Sequence, residues 1–168
     1  DFDKKHTEIQ TADFRNINYA RGYIELYQNF PRLAQSTIKP ILENDHKVFM
    51  FLHASLPHHS NGYATRSHAI LSTMLKSLQY SAIGVTRSGY PFDVGIKEFE
   101  DKDTVDGVSY MRLKNAHYYD QSIDQYMATA ADEIEELLTA KKTSIVHSAS
   151  AFYTAMPALV AARRLGLP

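Results

Sequence analysis

The sequence predicts an α/β fold in which a mostly parallel sheet is covered by helices on both faces. Short apolar runs of strand length alternate with longer segments whose apolar residues recur every three or four positions. Turns containing glycine, asparagine and serine separate the two kinds of segment. The resulting order, β-α-β-β-α-β-α, is typical of sheets whose parallel strands end at one common edge, where ligands bind.

The composition is that of a globular chain. Its 168 residues are 44% hydrophobic, enough for one full domain with an appendage. A net charge of −1 gives no field that would gather nucleic acid or an anionic membrane. The chain has no cysteine, which excludes disulfides and thiolate chemistry and suits a reducing, cytoplasmic location. It contains neither an apolar run of membrane-spanning length nor a signal pattern, so we expect no membrane span.

The N-terminal part predicts a helical extension over residues 1–45. Apolar side chains from Ile17 to Phe30 follow a helical spacing within a segment running from about Ala12 to Leu42, and Pro31 separates a possible second helix. The polar residues before Lys47 then mark the start of the domain proper, which we place at 46–168.

The first half of that domain predicts three strands and one helix. The first strand covers Lys47 to Ala54, and a Ser60-Asn61-Gly62 turn opens a helix with an apolar face from Ile70 to Leu78. Strands follow at Ala82 to Arg87 and at Val108 to Leu113, the latter after an Asp106-Gly107 turn. The polar stretch between these two strands predicts a loop.

The second half predicts a helix, a strand and a final helix. An apolar stripe runs over four turns from Ile123 to Leu138 and ends near Lys141 and Lys142, whose charges suit a helix C-terminus. Ser144 to Ser148 predict a strand. In the last helix Thr154 can act as the N-cap, Pro157 falls in the first turn, and Gly166 ends the helix.

The turn from the first strand into the first helix of the domain predicts an anion site. Backbone N–H groups and the helix dipole point at one spot there, with Ser60, Asn61, Gly62 and Tyr63 in the turn and Arg66 in the first helical turn. The sequence has neither the Gly-Lys-Ser/Thr of a phosphate-binding loop nor the three spaced glycines of a dinucleotide site. A tight turn without a ligand therefore remains the alternative.

Histidines, an acidic triplet and a serine are further candidates for chemistry. The neighbouring His58 and His59 suit metal chelation poorly, so we expect no metal. Asp101 and Asp103 lie in a charged stretch without a predicted strand, which indicates a solvated loop. Ser150 lacks the Gly-x-Ser-x-Gly turn of a serine hydrolase.

His147 lies near the end of the last predicted strand, so in a parallel sheet it is close to the same edge as the Gly62 turn. At that position it is either a ligand contact or a structural histidine.

Three segments together resemble the N-terminal domain of family 4 glycosyltransferases, which are retaining enzymes with two facing Rossmann-like domains, the GT-B fold. They are Ser55–His68, Val85–Asp93 and the stretch from Ile145–Ser150 to Ala161–Pro168. The similarity covers roughly Lys47 to Pro168. The family's Gly-Gly pair is Asn61-Gly62 here, and its His-x-His after the fourth strand is replaced by His147-Ser148-Ala149.

The resemblance implies a hexosyltransferase-like enzyme that moves a sugar from a nucleotide-sugar donor to a glycan or other hydroxyl acceptor, without a cofactor. It implies that residues 60–66 approach the donor diphosphate and that this domain receives the acceptor, while the main donor pocket belongs to a C-terminal domain outside this chain. We therefore expect the chain alone to be inactive. Five residues are candidates for acceptor binding, and no catalytic residue is assigned: Arg87, Tyr90, Asp93, His147 and Ser150.

Three alternatives stay open. The loop with Arg87, Tyr90 and Asp93 can equally be a Gly-Tyr-Pro turn with surface charges. On the same architecture, the chain can be half of a two-domain sugar-nucleotide epimerase. It can also be a non-catalytic Rossmann-like binding module whose N-terminal helices dock to another protein.

Overall fold

The computed structural model describes residues 16–30, 46–77 and 80–168. The described chain has the predicted α/β architecture. Residues 16–30 are helical and form α1. The other helices are α2 (Gly62–Lys76), α3 (Ile123–Lys141) and α4 (Ala155–Leu165), and the strands are β1 (Lys47–Leu52), β2 (Ser81–Thr86), β3 (Lys102–Val105), β4 (Val108–Arg112) and β5 (Ile145–Ser148).

The five strands form one sheet in the order β3-β4-β2-β1-β5. β1 pairs in parallel with β2 and with β5, and β2 pairs in parallel with β4, whereas β3 is antiparallel to β4. The prediction of a mostly parallel sheet is therefore confirmed. Because β2 and β5 lie on opposite sides of β1, the chain changes winding direction between β1 and β5.

Strand β3 corrects the prediction of a loop between β2 and β4. Its sequence, Lys102 to Val105, is mostly polar because it forms the outer strand of the sheet, so no apolar pattern marks it. The turn that returns the chain into β4 has positive φ at Asp106 (48°) and Gly107 (81°), as a two-residue hairpin requires. The Asp106-Gly107 turn was predicted, but the strand before it was not.

The core lies on both faces of the sheet, as β1 illustrates. Phe49 and Phe51 belong to a buried cluster with α3 and α4, whereas Met50 and Leu52 belong to a second cluster with Leu71 of α2. Side chains alternate along a strand, so this apolar strand supplies both clusters at once. The expectation of helices on both faces is confirmed.

The helix ends follow local chemistry. Asn61 caps α2, because its side chain accepts a hydrogen bond from the backbone N–H of Ala64 at 3.0 Å. α4 ends at Gly166 with φ of 67°, and Pro157 lies in its first turn, as predicted. Thr154 occupies the N-cap position of α4, but its side chain makes no capping hydrogen bond.

Helix α1 packs against the domain through one of its faces. Leu26 is buried in a cluster with Ile123, Tyr126 and Met127 of α3. The other face leaves Ile24 and Tyr27 exposed. The remainder of the predicted extension, including the second helix after Pro31, lies outside the described residues, and the division at residue 45 stays a prediction.

Candidate functional site

The carboxyl ends of β1, β2, β4 and β5 meet at one edge of the sheet, which we call the carboxyl edge. Four segments follow these ends: 53–61, 87–101, 113–122 and 149–154. In open α/β sheets, ligands bind outside the carboxyl ends of the strands, where the winding direction changes. That point lies between β1 and β5 here, so the carboxyl edge is the candidate functional site.

Arg87, directly after β2, is held by a buried ion pair. Its side chain is 1% exposed, and Nη1 donates to Asp93 Oδ2 at 2.8 Å and to the Ser88 carbonyl at 3.1 Å. The other oxygen of Asp93 lies 2.9 Å from His117 Nδ1. The aspartate is 3% exposed and the histidine 29%, so the chain of contacts runs from the interior to the surface.

The loop that carries this ion pair needs Gly89. Its φ is 83°, and a Cβ at this position would lie 2.3 Å from Asp93 Oδ2 and 2.8 Å from the Ala116 carbonyl oxygen. Any larger residue would displace the aspartate that neutralises Arg87. The glycine of the Ser88-Gly89-Tyr90-Pro91 turn therefore permits the close approach of the 87–101 and 113–122 segments.

Tyr90 joins this loop to the segment after β1. Its hydroxyl donates to the Ser55 carbonyl at 3.1 Å and lies 2.7 Å from His59 Nδ1. Because the single hydroxyl proton is used toward Ser55, the histidine donates through Nδ1, and its neutral form then keeps a lone pair on Nε2. Burial raises the pKa of Tyr90, which keeps the phenol protonated.

Arg112, the last residue of β4, is the second buried guanidinium of the carboxyl edge. It donates to Ser55 Oγ at 2.6 Å, to the Leu56 carbonyl at 3.1 Å and to Asp103 Oδ2. The ring of Tyr90 is close to both arginines, with its centroid 5.9 Å from Arg87 Cζ and 5.8 Å from Arg112 Cζ. Each guanidinium has its own carboxylate, so the pair adds no net charge.

Asp103 corrects the prediction of a solvated loop at Asp101 and Asp103. It lies in β3, its side chain is 16% exposed, and it pairs with Arg112. His58 Nε2 lies 3.6 Å from the same carboxylate oxygen. Burial, together with the nearby Arg112 charge, lowers the pKa of His58, although Asp103 acts in the opposite direction.

Glu133 of α3 hydrogen-bonds to both of the loops that follow β2 and β4. Ser88 Oγ donates to Glu133 Oε2 at 2.6 Å, while Oε1 accepts from the backbone N–H groups of Lys114 at 2.6 Å and Asn115 at 3.2 Å. Ser88 Oγ in turn accepts from Ala116 N at 2.9 Å. One carboxylate therefore holds both loops in register with the helix.

The predicted anion site is an exposed helix N-terminus. With the Ala64 N–H bound to Asn61, the N–H groups of Gly62 and Tyr63 have no intrahelical acceptor. A Cβ built on Gly62 would lie more than 4 Å from the surrounding heavy atoms of the described residues. The Arg66 guanidinium lies 5.0 Å from the Tyr63 ring centroid, and the first turn of α2 contains no acidic residue.

Eight of the ten predicted site residues fall into two groups that His59 connects. Arg87, Tyr90 and Asp93 come together in the buried cluster, and His59 links Tyr90 to the exposed turn that contains Ser60 and the other predicted anion-binding residues. His147 is exposed on β5, opposite Met50 of β1 in the strand register. Ser150 is buried after β5, and its Oγ makes no hydrogen bond to the described residues.

Sequence reasoning missed four contributors to the carboxyl edge: Ser55, Arg112, His117 and Glu133. One signal could have found Arg112, because it ends an apolar strand just as Arg87 follows one. The strand register places it opposite Thr86, next to Arg87. The other three have no such pattern, since their partners come from distant parts of the chain.

The chain matches no protein-family model, no curated protein and no solved structure. Among the described residues, no helix is long and apolar enough to cross a membrane. Residues 16–30, 46–77 and 80–168 also contain no group of three or more histidine, aspartate or glutamate side chains arranged to hold a metal ion.

Proposed function

We propose that this chain is the acceptor-side domain of a retaining glycosyltransferase, which transfers a sugar from a nucleotide-sugar donor to a hydroxyl acceptor. One observation carries the proposal: the open helix N-terminus at Gly62 lies next to a preorganised polar cluster at the carboxyl edge of a mostly parallel sheet. His59 connects the two through its hydrogen bond to Tyr90. The resemblance of these same segments to family 4 glycosyltransferases supports it.

Gly62 supports a role in donor binding because packing does not require a glycine there. Its φ is not among the positive values, and the space around it is open in the described structure. Glycine has a lower helix propensity than alanine, by about 1 kcal/mol in a helix interior. The gain that offsets this cost is close approach of a ligand to the backbone, here the donor diphosphate at the N–H groups of Gly62 and Tyr63.

The cluster supports acceptor binding through the side chains that it orients. Arg87 and Asp93 are buried, and we infer that they fix the ring of the more exposed His117, while Tyr90 fixes His59. Neutral imidazole nitrogens can accept hydrogen bonds from acceptor hydroxyls. His147 and Ser150, which follow on the other side of β1, complete the proposed acceptor side.

The chemistry of a retaining transfer suits a donor diphosphate at the Gly62 helix N-terminus and an acceptor at the polar cluster. The bond between the sugar carbon and the diphosphate oxygen breaks, and the acceptor oxygen bonds to that carbon on the same face. The leaving diphosphate takes the acceptor's proton. The positive end of α2 would stabilise the charge that grows on the diphosphate, and Arg66 would add to this effect. A second domain supplies the main donor pocket, so no protein nucleophile is assigned here.

The test is a titration of the isotopically labelled chain with UDP-glucose and GDP-mannose, followed by NMR. Backbone signals of residues 60–66 should shift, and Gly62→Val should weaken binding by about tenfold, since its side chain blocks the diphosphate. Ala69→Val is the matched control, because it adds a comparable side chain to an exposed position of the same helix.

Two results would contradict the proposal. One is the absence of any shift at residues 60–66 with either donor at about 10 mM, a concentration that reveals even millimolar affinity. The other is equal weakening by Gly62→Val and Ala69→Val. Sugar transfer by the purified 168-residue chain alone would overturn the separate inference that a second domain is needed.

A further inference from the structure

A groove of about 870 Å³ lies between α1 and the segment that joins β4 to α3. Its volume falls within the roughly 300–1,000 Å³ of sites for small ligands. Tyr19 and Arg21 line it from α1, Tyr119 and Asp120 from the joining segment, and Asp124 from the first turn of α3. The groove is distinct from the helix N-terminus at Gly62.

The groove combines exposed aromatic rings with hydroxyl and amide groups. Tyr119 is 68% exposed and Tyr19 53%, although both rings lie against other tyrosines. The Tyr118 and Tyr119 centroids are 3.9 Å apart, and Tyr118 lies 5.3 Å from Tyr153. Tyrosine offers an apolar face with a polar tip, which matches a sugar ring with its C–H face and its rim of hydroxyls.

Asp124, one of the lining residues, has a carboxylate oxygen that is buried behind the groove surface. Asp124 Oδ1 is buried and makes no hydrogen bond within the described residues. This oxygen lies close to α1, since a Cβ built on Gly22 would be 3.0 Å from it. A buried carboxylate oxygen without a donor is costly, and an enclosed water could supply that donor.

The charge of the lining argues against an anionic ligand. Glu25, Asp120 and Asp124 outnumber Arg21, so a phosphate or a nucleotide would meet net negative charge. Carboxylates and side-chain amides, here Asn18 and Gln121, instead suit the hydroxyl groups of a neutral ligand.

The groove also adjoins the carboxyl edge. The Arg87 guanidinium lies 4.8 Å from the centroid of Tyr118, which lines the groove. Tyr118 therefore separates the groove from the Arg87, Asp93 and His117 cluster. A chain-like ligand whose end lies at that cluster would extend past Tyr118 into the groove.

We propose that this groove binds the non-reacting part of a neutral oligosaccharide acceptor, and this inference rests on the proposed glycosyl transfer at the carboxyl edge. Helix α1 then forms one wall of the acceptor site. Tyr119 and Tyr19 stack on sugar rings, and the side-chain amides of Asn18 and Gln121 hydrogen-bond to hydroxyl groups.

The experiment is an NMR titration of the 168-residue chain with maltotetraose, cellotetraose, mannotetraose and chitotetraose. At least one should bind and shift the signals of residues 118–125, and Tyr119→Ala should weaken that binding by about tenfold. Tyr27→Ala is the matched control, because Tyr27 is an 86% exposed tyrosine of α1 outside this groove, and it should leave the affinity unchanged.

The outcomes separate this inference from the proposed function. Nucleotide-sugar binding should be insensitive to Tyr119→Ala, and tetrasaccharide binding should be insensitive to Gly62→Val. If no tetrasaccharide binds at about 10 mM, or if Tyr119→Ala and Tyr27→Ala act equally, the groove inference is wrong whatever the nucleotide sugars do. Binding of inorganic pyrophosphate in the groove would also overturn it. Tetrasaccharide binding without nucleotide-sugar binding would support saccharide binding by the groove and would refute the proposed transferase function.

Discussion

Replacing Arg112 by methionine should destabilise the fold strongly, because this side chain joins three segments of the carboxyl edge. Its guanidinium is fully enclosed and donates to Ser55 Oγ, the Leu56 carbonyl and Asp103. Methionine can fill much of the volume, but it offers no donor. The substitution leaves the Asp103 carboxylate without its guanidinium, and it removes one donor each from Ser55 Oγ and the Leu56 carbonyl, which still hydrogen-bond to each other at 3.0 Å.

The magnitude follows from the burial of these groups. Removing one member of a buried ion pair costs about 3–5 kcal/mol. The Asp103 side chain is 16% exposed, so water screens part of its charge and we expect the lower end, about 3 kcal/mol. For a chain of this size each kcal/mol lowers Tm by roughly 2–4 °C, so the expected loss is about 6–12 °C.

Urea unfolding followed by circular dichroism would measure this loss. Arg66→Met is the matched control, since Arg66 is exposed, and it should change the free energy of unfolding by less than about 0.5 kcal/mol. In the double variant Arg112→Met with Asp103→Asn no bare carboxylate remains, so the combined cost should fall below the sum of the two single costs. A loss below about 1 kcal/mol for Arg112→Met would refute the assigned role of the buried pair.

Three further predictions concern packing and pH. Gly84→Ala should cost about 1–3 kcal/mol in urea unfolding, because its Cβ would lie 2.6 Å from Tyr110 Cδ1; an unchanged midpoint would contradict this. The lowered pKa of His58 means that the unfolded chain takes up a proton first, so stability should fall as pH drops below about 6.5. His58→Gln should make stability depend less on pH in this range. If the variant and the wild-type chain lose stability in parallel, this role of His58 is wrong. Burial raises the pKa of Tyr126 to about 12, so stability should decline as pH rises above about 10, where the unfolded chain loses the proton first. Tyr126→Phe should decline less, and an equal decline of stability with pH in the two proteins would exclude this contribution.

The elements with a strong local pattern could be predicted from the sequence. Helix α3 runs to Lys141, near its predicted end, and the ends of the predicted strands differ from the observed ones by at most two residues. Local patterns suffice here because helix caps, turn residues and side-chain periodicity act over a few positions. Strand β3 escaped prediction because, as the outermost strand, it shows the polar composition of a loop.

The candidate site could be predicted only in part. The sequence places Gly62 and Arg87 after strands and His147 near the end of one, so parallel pairing puts all three at the carboxyl edge. The degree to which each side chain is buried could not be predicted in this way. Arg87 and Asp93 form an enclosed pair rather than exposed charges, since Gly89 allows the loop to pack against Ala116.

The sequence by itself determined that this chain forms an α/β sheet with helices on both faces and an exposed helix N-terminus at Gly62, because neighbouring residues decide those features. Only the tertiary structure decided which polar groups meet. Arg112 and Ser55 are 57 positions apart, and Glu133 and Ser88 are 45 apart. Strand order and register bring such pairs together, and both depend on how the two apolar cores pack rather than on any short stretch of the chain.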